Sequence, residues 1–208
     1  MIDIFGRWGK CGAMRVDNGE PLGSSRNDTT SVLAMWLIAN DIDMIFNRPA
    51  CPESNGKVER IQGTSARWAE IYLAKDLQDL QARLNKEVIF QREKFVVSRL
   101  GKQTRLQAFP ALETSRRVFK AEYFSVKRVY EYIARKVYRR WVSKYGQIFI
   151  FGQRFSVGRD YKGQYVHLRL NSDTCQWEVS KDQKVLKRYD ADRLSEENIR
   201  NLTVYRRK

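Results

Sequence analysis

Two carboxylates in this 208-residue chain stand where they could act on a phosphodiester. Asp17 follows the strand-like run Ala13-Met14-Arg15-Val16 and begins the turn Asp17-Asn18-Gly19. Forty-one residues separate it from Glu59, which lies in Pro49-Ala50-Cys51-Pro52-Glu53-Ser54-Asn55-Gly56-Lys57-Val58-Glu59-Arg60. Carboxylates from distant parts of a chain, brought to one point, can hold divalent metal against a phosphate. Mg²⁺ takes hard oxygen ligands and keeps several waters, so a few carboxylates suffice. Two such ions about 4 Å apart activate an attacking hydroxyl and stabilise the leaving oxygen. Each residue also has an ordinary reading. Asp-Asn-Gly is a common turn, and a helical Glu beside Lys57 and Arg60 can simply pair with a neighbour in solvent. Their conjunction carries more than either alone: strand, Asp-Asn-Gly, helix, strand, then a Pro-x-x-Pro linker and Asn-Gly-x-x-Glu-Arg opening a helix.

The elements that position these groups can be read from periodicity. Thr30–Asn40 predicts a helix with Val32, Leu33, Trp36 and Leu37 on one side, and Asp43-Met44-Ile45-Phe46 a strand stopped by Asn47 and Pro49. Ser54 or Asn55 can cap a helix running to about residue 73. On that helix Val58, Ile61, Ser65, Trp68 and Tyr72 form an expected buried stripe, and Lys57, Arg60, Thr64 and Arg67 a basic one. Glu59 shares a third face with Gln62, Gly63 and Ala66. A further helix is expected from Asp76 to about Arg99, with Leu77, Leu80, Leu84 and Val88 inward and Gly101 as its stop.

After a linker over Gly101–Glu113, a shorter helix carries Val126, Val129, Tyr130, Ile133 and Val137 on its apolar side. From Lys136 the period becomes two. Gln147–Phe151 and Arg154–Val157 flank an expected Gly152-Gln153 turn. Val166, Leu168 and Leu170 point inward, leaving His167 and Arg169 outside; Cys175, Trp177 and Val179 alternate again, and Lys184–Tyr189 follows. Five short strands at this spacing predict a small closed barrel, and Ser195–Leu202 a closing helix. Tyr123, Tyr130, Tyr132, Tyr138, Trp141 and Tyr145, interleaved with charge, could stack on bases, although core or domain-interface positions suit most of them.

The formal net charge is +15, unevenly placed: residues 1–110 carry a net +3 and residues 111–208 a net +12. Such an excess implies a polyanion, because released counterions favour each neutralised phosphate. On charge alone DNA, RNA or an acidic protein would serve. Candidate DNA contacts are Asn55, Lys57, Arg60 and Arg67 on the Glu59 helix, and Lys127, Arg128, Arg135, Lys136, Arg139 and Arg140 in the second half. Three widely spaced cysteines and one histidine fit neither a disulfide framework nor a His/Cys zinc domain, so a reducing, intracellular setting is expected. No apolar run approaches a membrane span and no signal peptide opens the chain, so no membrane partner is expected. No P-loop, Gly-rich dinucleotide turn or Ser-His-Asp set is present, and His167 reads as a surface or phosphate-contacting residue.

Over roughly residues 5–72 these motifs resemble DDE-type integrases and transposases, the family of retroviral integrases and many insertion-sequence transposases. The resemblance makes Asp17 the second and Glu59 the third acidic ligand of Mg²⁺ (or Mn²⁺). It implies a fold of an α/β RNase H-like core, N-terminally truncated, then a helical linker and an all-β SH3-like barrel. The expected divisions are a partial catalytic core with trailing helix at 1–110, a basic linker and helix at 111–135, a small DNA-binding β-barrel at 136–192, and a helix and tail at 193–208. It also implies metal-dependent strand transfer on mobile-element DNA, in a cytoplasmic, DNA-associated protein. Partners would be double-stranded DNA, as element ends and target, and a second copy or an intact transposase.

Two departures bear on activity. The Asp17–Glu59 spacing exceeds the family's usual one, with the excess expected in the loop from Glu20 to Asp28. The family's first Asp lies on an upstream strand, whereas only sixteen residues precede Asp17, and Asp3 falls in the helix leading toward it. The expectation is a chain inactive alone, with metal bound only if another segment completes the site. The alternative is a non-catalytic DNA-binding remnant or accessory subunit. A first Asp encoded before the Met1 codon would separate the two.

Overall fold

The computed structural model describes residues 1–23, 29–48, 56–114 and 117–205. In chain order the elements are α1 (Ile2–Trp8), β1 (Ala13–Val16), α2 (Val32–Ala39), β2 (Asp43–Phe46), α3 (Gly56–Trp68), α4 (Leu77–Glu93), α5 (Arg105–Ala108), α6 (Ala111–Thr114), α7 (Val126–Ala134), β3 (Tyr138–Trp141), β4 (Gln147–Ile150), β5 (Gln153–Ser156), β6 (Tyr165–Asn171), β7 (Gln176–Lys181), β8 (Lys184–Asp190) and α8 (Glu196–Arg200). They form two compact units that do not follow the chain linearly. One is Met1–Lys10 with Arg48–Val118, the other Cys11–Asn47 with Phe119–Lys208. The fold is mixed helix and sheet. No described helix is long and apolar enough to cross a membrane.

In the second unit, β1 and β2 pair in parallel from Ala13↔Asp43 to Val16↔Phe46, with α2 as the crossover that parallel strands require. Ser31 starts α2 by accepting a hydrogen bond from Ala34 N at 3.2 Å. Its sequence, Val-Leu-Ala-Met-Trp-Leu-Ile-Ala, is apolar all round, and such a helix belongs inside a core. Ala34, Met35, Leu37, Ile38 and Ala39 are buried, whereas of the four expected inward residues only Leu37 is; Val32, Leu33 and Trp36 stay half-exposed. A one-sided pattern was the wrong template for a helix covered on most sides.

The remaining strands form a four-stranded antiparallel sheet, ordered β3-β6-β7-β8, and a separate hairpin, β4-β5. The expected closed barrel does not form. Between β8 and β5, side chains replace a backbone ladder: the Tyr189 ring stacks on Phe155 at 4.6 Å and Lys187 Nζ donates to Ser156 O at 2.9 Å. The hairpin register, Ile150↔Gln153, places the turn at Phe151-Gly152, one residue earlier than predicted. Both turn residues have positive φ, 45° and 74°, as a type I′ turn needs. Phe151 tolerates that backbone because its buried ring stacks on Trp177 at 5.6 Å and meets Tyr138 edge-on at 5.6 Å.

These rings, with Leu168, Leu170, Ile133 and Ile199, share one core with Met35, Ile38 and Ala39 of α2. Polar ties join the same segments: Ser125 N donates to Ala39 O at 2.9 Å, and Tyr205 hydroxyl to Thr30 O at 2.6 Å. Residues 11–47 are thus built into the same body as the C-terminal sheet.

In the first unit, Asp76 caps α4 by accepting from Asp79 N at 2.8 Å. α3 stops at Trp68, short of the predicted end, and Glu70 turns the chain with a left-handed φ of 48°. α4 likewise ends at Glu93 rather than near Arg99. Of the expected stripe on α3 only Ser65 is sheltered; Val58, Ile61, Trp68 and Tyr72 are 52, 56, 40 and 77% exposed. Leu77 and Val88 of α4 are exposed as well, with Leu80 and Leu84 only half-covered. This unit contains no sheet among its described residues, so nothing of that kind backs the helical pair. Trp68 instead packs edge-on against Phe90 and Phe95, at 5.7 and 4.8 Å.

Candidate functional site

Asp17 comes directly after the last residue of β1, at the carboxyl end of a parallel strand. Open α/β sheets place ligand groups at that end, because the chain leaves the sheet there and its side chains face out of the crevice. The strand is held past its last residue by Asn47 N donating to Val16 O at 2.9 Å. Asn18 Nδ2 donates to Asn47 O at 3.0 Å, tying the Asp-Asn-Gly turn to the end of β2. The Asp17 carboxylate is exposed, and its Oδ1 accepts from Gly19 N at 3.1 Å. That is an Asx turn, which fixes the carboxylate against its own backbone.

Glu59 lies in the first turn of α3 and is exposed. A carboxylate there is favoured by the unpaired N–H groups of a helix start. Arg60 and Arg67 are exposed on the same helix, Arg67 Nε reaching Gly63 O at 3.4 Å. Lys57 belongs to the first turn of α3, while Asn55, Ser54, Cys51 and both prolines of the linker lie outside the described residues, as does most of the loop expected to absorb the extra spacing.

Asp17 belongs to the second unit and Glu59 to the first. Among the described residues no group of three or more His, Cys, Asp or Glu could hold a metal ion. Asp3 sits in the first turn of α1, not on a strand. Two carboxylates alone leave a two-ion site short of the further oxygen ligands it needs at one point. No protein-family model matches the sequence.

The basic candidates of the second half divide by what they touch. Lys127 is exposed on α7. Arg128, its neighbour, is a structural residue: Nη1 donates to Ala39 O at 3.0 Å and to Tyr123 O at 2.8 Å, and Nε lies 3.9 Å from Asp41 Oδ1. It thereby satisfies the carbonyl at the end of α2. A pocket of about 390 Å³ beside it is lined by Asp41, Asp43, Glu131, Tyr132 and Arg135, so Arg135 shares its surroundings with acids. Lys136 is exposed at the entry to β3.

Arg139 and Arg140 are adjacent on β3 and so leave opposite faces of the sheet. Arg139 lies outside with its guanidinium 3.7 Å from the Tyr165 ring centre, while Arg140 is half-buried, 5.6 Å from the ring of the buried Tyr138. Period-two alternation along a strand requires that separation.

The clearest protonation shifts lie away from all of these residues. Tyr130 donates to Leu194 O at 3.0 Å, and burial, with Cys175 beside it, holds its phenol well above the usual range. Burial likewise pushes the Cys175 thiol up, and Tyr205 up to about 12.

Proposed function

We propose that this chain acts on DNA as part of a DDE-type integrase or transposase assembly. In this reading the β1-α2-β2 segment is the later part of an RNase H-like core, and the C-terminal sheet with its hairpin an SH3-like DNA-binding domain. One observation carries it: an Asp at the carboxyl end of a parallel strand, followed through a βαβ unit by a helix whose first turn bears Glu59. The net +12 over residues 111–208 supports a polyanionic partner, and double-stranded DNA suits the candidate chemistry.

Asp17 and Glu59 are the acids this reading assigns to catalysis. Two carboxylates from different units make an incomplete donor set, so no metal-dependent step is derived for the chain by itself. Strand transfer with Mg²⁺ or Mn²⁺ belongs to an assembly in which another segment supplies the first Asp. A second copy or an intact transposase is the proposed protein partner. The Asx turn of Asp17 also favours a second reading, in which the chain is a non-catalytic DNA-binding subunit and Asp-Asn-Gly is only a turn.

The test has two arms. The full chain should bind duplex DNA with affinity that falls steeply with salt, the log–log slope being roughly −3 to −6 if about four to six phosphates are neutralised. Replacing Arg135, Lys136, Arg139 and Arg140 by Ala should flatten the slope. An unchanged slope in that variant would mean that this region is not the DNA surface. In the second arm, supercoiled DNA with Mg²⁺ or Mn²⁺ should not be nicked by the chain alone. In a completed assembly, Asp17→Asn or Glu59→Gln should abolish strand transfer while leaving DNA binding; near-normal turnover in either variant refutes the site assignment.

A further inference from the structure

Strand alternation puts Tyr138, Val166, Leu168 and Leu170 inside, and Arg139, Trp141, Tyr165, His167 and Arg169 on the outer face of the four-stranded sheet. The register sets Trp141 opposite Tyr165 and Arg139 opposite His167. Trp141 and Tyr165 remain 53 and 44% exposed, with ring centres 4.9 Å apart and planes at 70°. Each ring holds the other, so a ligand finds them already ordered. Arg139 covers one side of Tyr165 at 3.7 Å, a cation–π contact that pins its guanidinium beside the two rings.

A single exposed ring would need no explanation. Here two rings and three cations, Arg139, Arg169 and Arg188, share one face. Of its acids, Glu178 is engaged by Arg188 at 2.8 Å, and Asp190 Oδ1 accepts from Gln176 Nε2 at 2.9 Å at the end of the sheet. An aromatic and cationic face complements a polyanion that carries π surfaces. Duplex DNA offers phosphates and base edges but keeps the base faces stacked away. Unpaired bases offer those faces to aromatic side chains.

Building on the DNA reading above, we propose that this outer face is a stacking platform for single-stranded DNA. Trp141 and Tyr165 take unpaired bases, and Arg139 and Arg169 hold the flanking phosphates.

The test uses the full chain with a thymidylate oligomer of about 12 nucleotides, within the span usual for such domains, and a duplex of the same length. The oligomer should quench tryptophan fluorescence on binding. Trp141→Ala should weaken oligomer binding about ten-fold, with duplex affinity changed less than about two-fold. Trp141→Phe, which keeps a ring, should retain oligomer affinity within about three-fold while losing most of the quenching. Tyr165→Ala should resemble Trp141→Ala. Equal losses for oligomer and duplex, or no loss in either alanine variant, would overturn the platform. So would tighter binding of a uridylate oligomer, which assigns the face to RNA. Conversion of a dimer to a monomer by Trp141→Ala, read by sedimentation, would assign it to a second copy of the chain. If neither oligomer nor duplex binds, the DNA reading falls with it. Salt-dependent duplex binding with an indifferent Trp141→Ala removes only the platform.

Discussion

Met35→Ala tests whether the segment bearing Asp17 is part of the C-terminal body or an appendage to it. Met35 is fully buried on α2 and belongs to the core that contains Ile133, Leu168 and Trp177. Truncating a buried Met leaves a cavity as well as losing transfer energy, about 2–5 kcal/mol in all. With complete burial, on a helix packed against both α7 and α8, about 3 kcal/mol is the expectation for this site. At a urea dependence of about 2 kcal/mol per molar, the midpoint should fall by roughly 1.5 M. Circular dichroism together with the emission of the buried Trp177 would follow the sheet-bearing unit. Leu77→Ala, at a position 82% exposed in the other unit, is the control and should change stability by less than about 0.5 kcal/mol. A companion fragment of residues 119–208 should fail to unfold cooperatively, since it lacks α2 altogether. If Met35→Ala moves the midpoint by less than about 0.3 M, or the fragment matches the full chain, the shared core is refuted.

Arg128→Ala should lower stability by about 1–2 kcal/mol through the lost bonds to Ala39 O and Tyr123 O, yet leave the salt slope of DNA binding unchanged; a flattened slope would return Arg128 to the DNA surface. Asp79 is held below its ordinary 3.8 first by the Lys75 backbone N–H and then by Arg83. Its contribution is therefore present above that ordinary value and lost as pH falls through the lowered one, so Asp79→Asn should destabilise at neutral pH and converge with the parent in strong acid. A constant difference across the whole acid titration would contradict this. Cys175, whose burial raises its thiol above the usual 9.0, should alkylate slowly at neutral pH in the folded chain and rapidly in urea, as read by peptide mass spectrometry; equal rates would show that it is not sheltered.

Local elements were legible wherever one residue type decides them. Asp76 starts its helix, Asp43-Met44-Ile45-Phe46 forms its strand, and Val166, Leu168 and Leu170 point inward as alternation requires. What escaped the sequence depends on distant partners. The turn moved to Phe151 because the core claims that ring, a demand no turn rule contains. The α3 stripe is periodic enough to read as buried, but burial needs a covering surface that periodicity cannot supply. The bonds from Arg128 to the Ala39 and Tyr123 carbonyls were not legible, because backbone carbonyls carry no sequence signature. Asp17 fell at a strand end as expected, whereas the acids needed to complete a metal site are not gathered among the described residues.

Chain order imposes a schedule on synthesis. Within the second unit β1, α2 and β2 are translated first, yet the segment whose α7 and strands bury Met35, Ile38 and Ala39 begins only at Phe119, after the 71 residues Arg48–Val118 of the other unit. At about 5–20 residues per second, that gap keeps α2 waiting roughly 4–14 s outside the ribosome without its cover. An eight-residue run as apolar as Val32–Ala39 is then a ready target for a chaperone that binds extended hydrophobic segments. Messages broken or terminated before codon 119 would yield products with that run permanently uncovered, so aggregation of truncated chains should trace to α2.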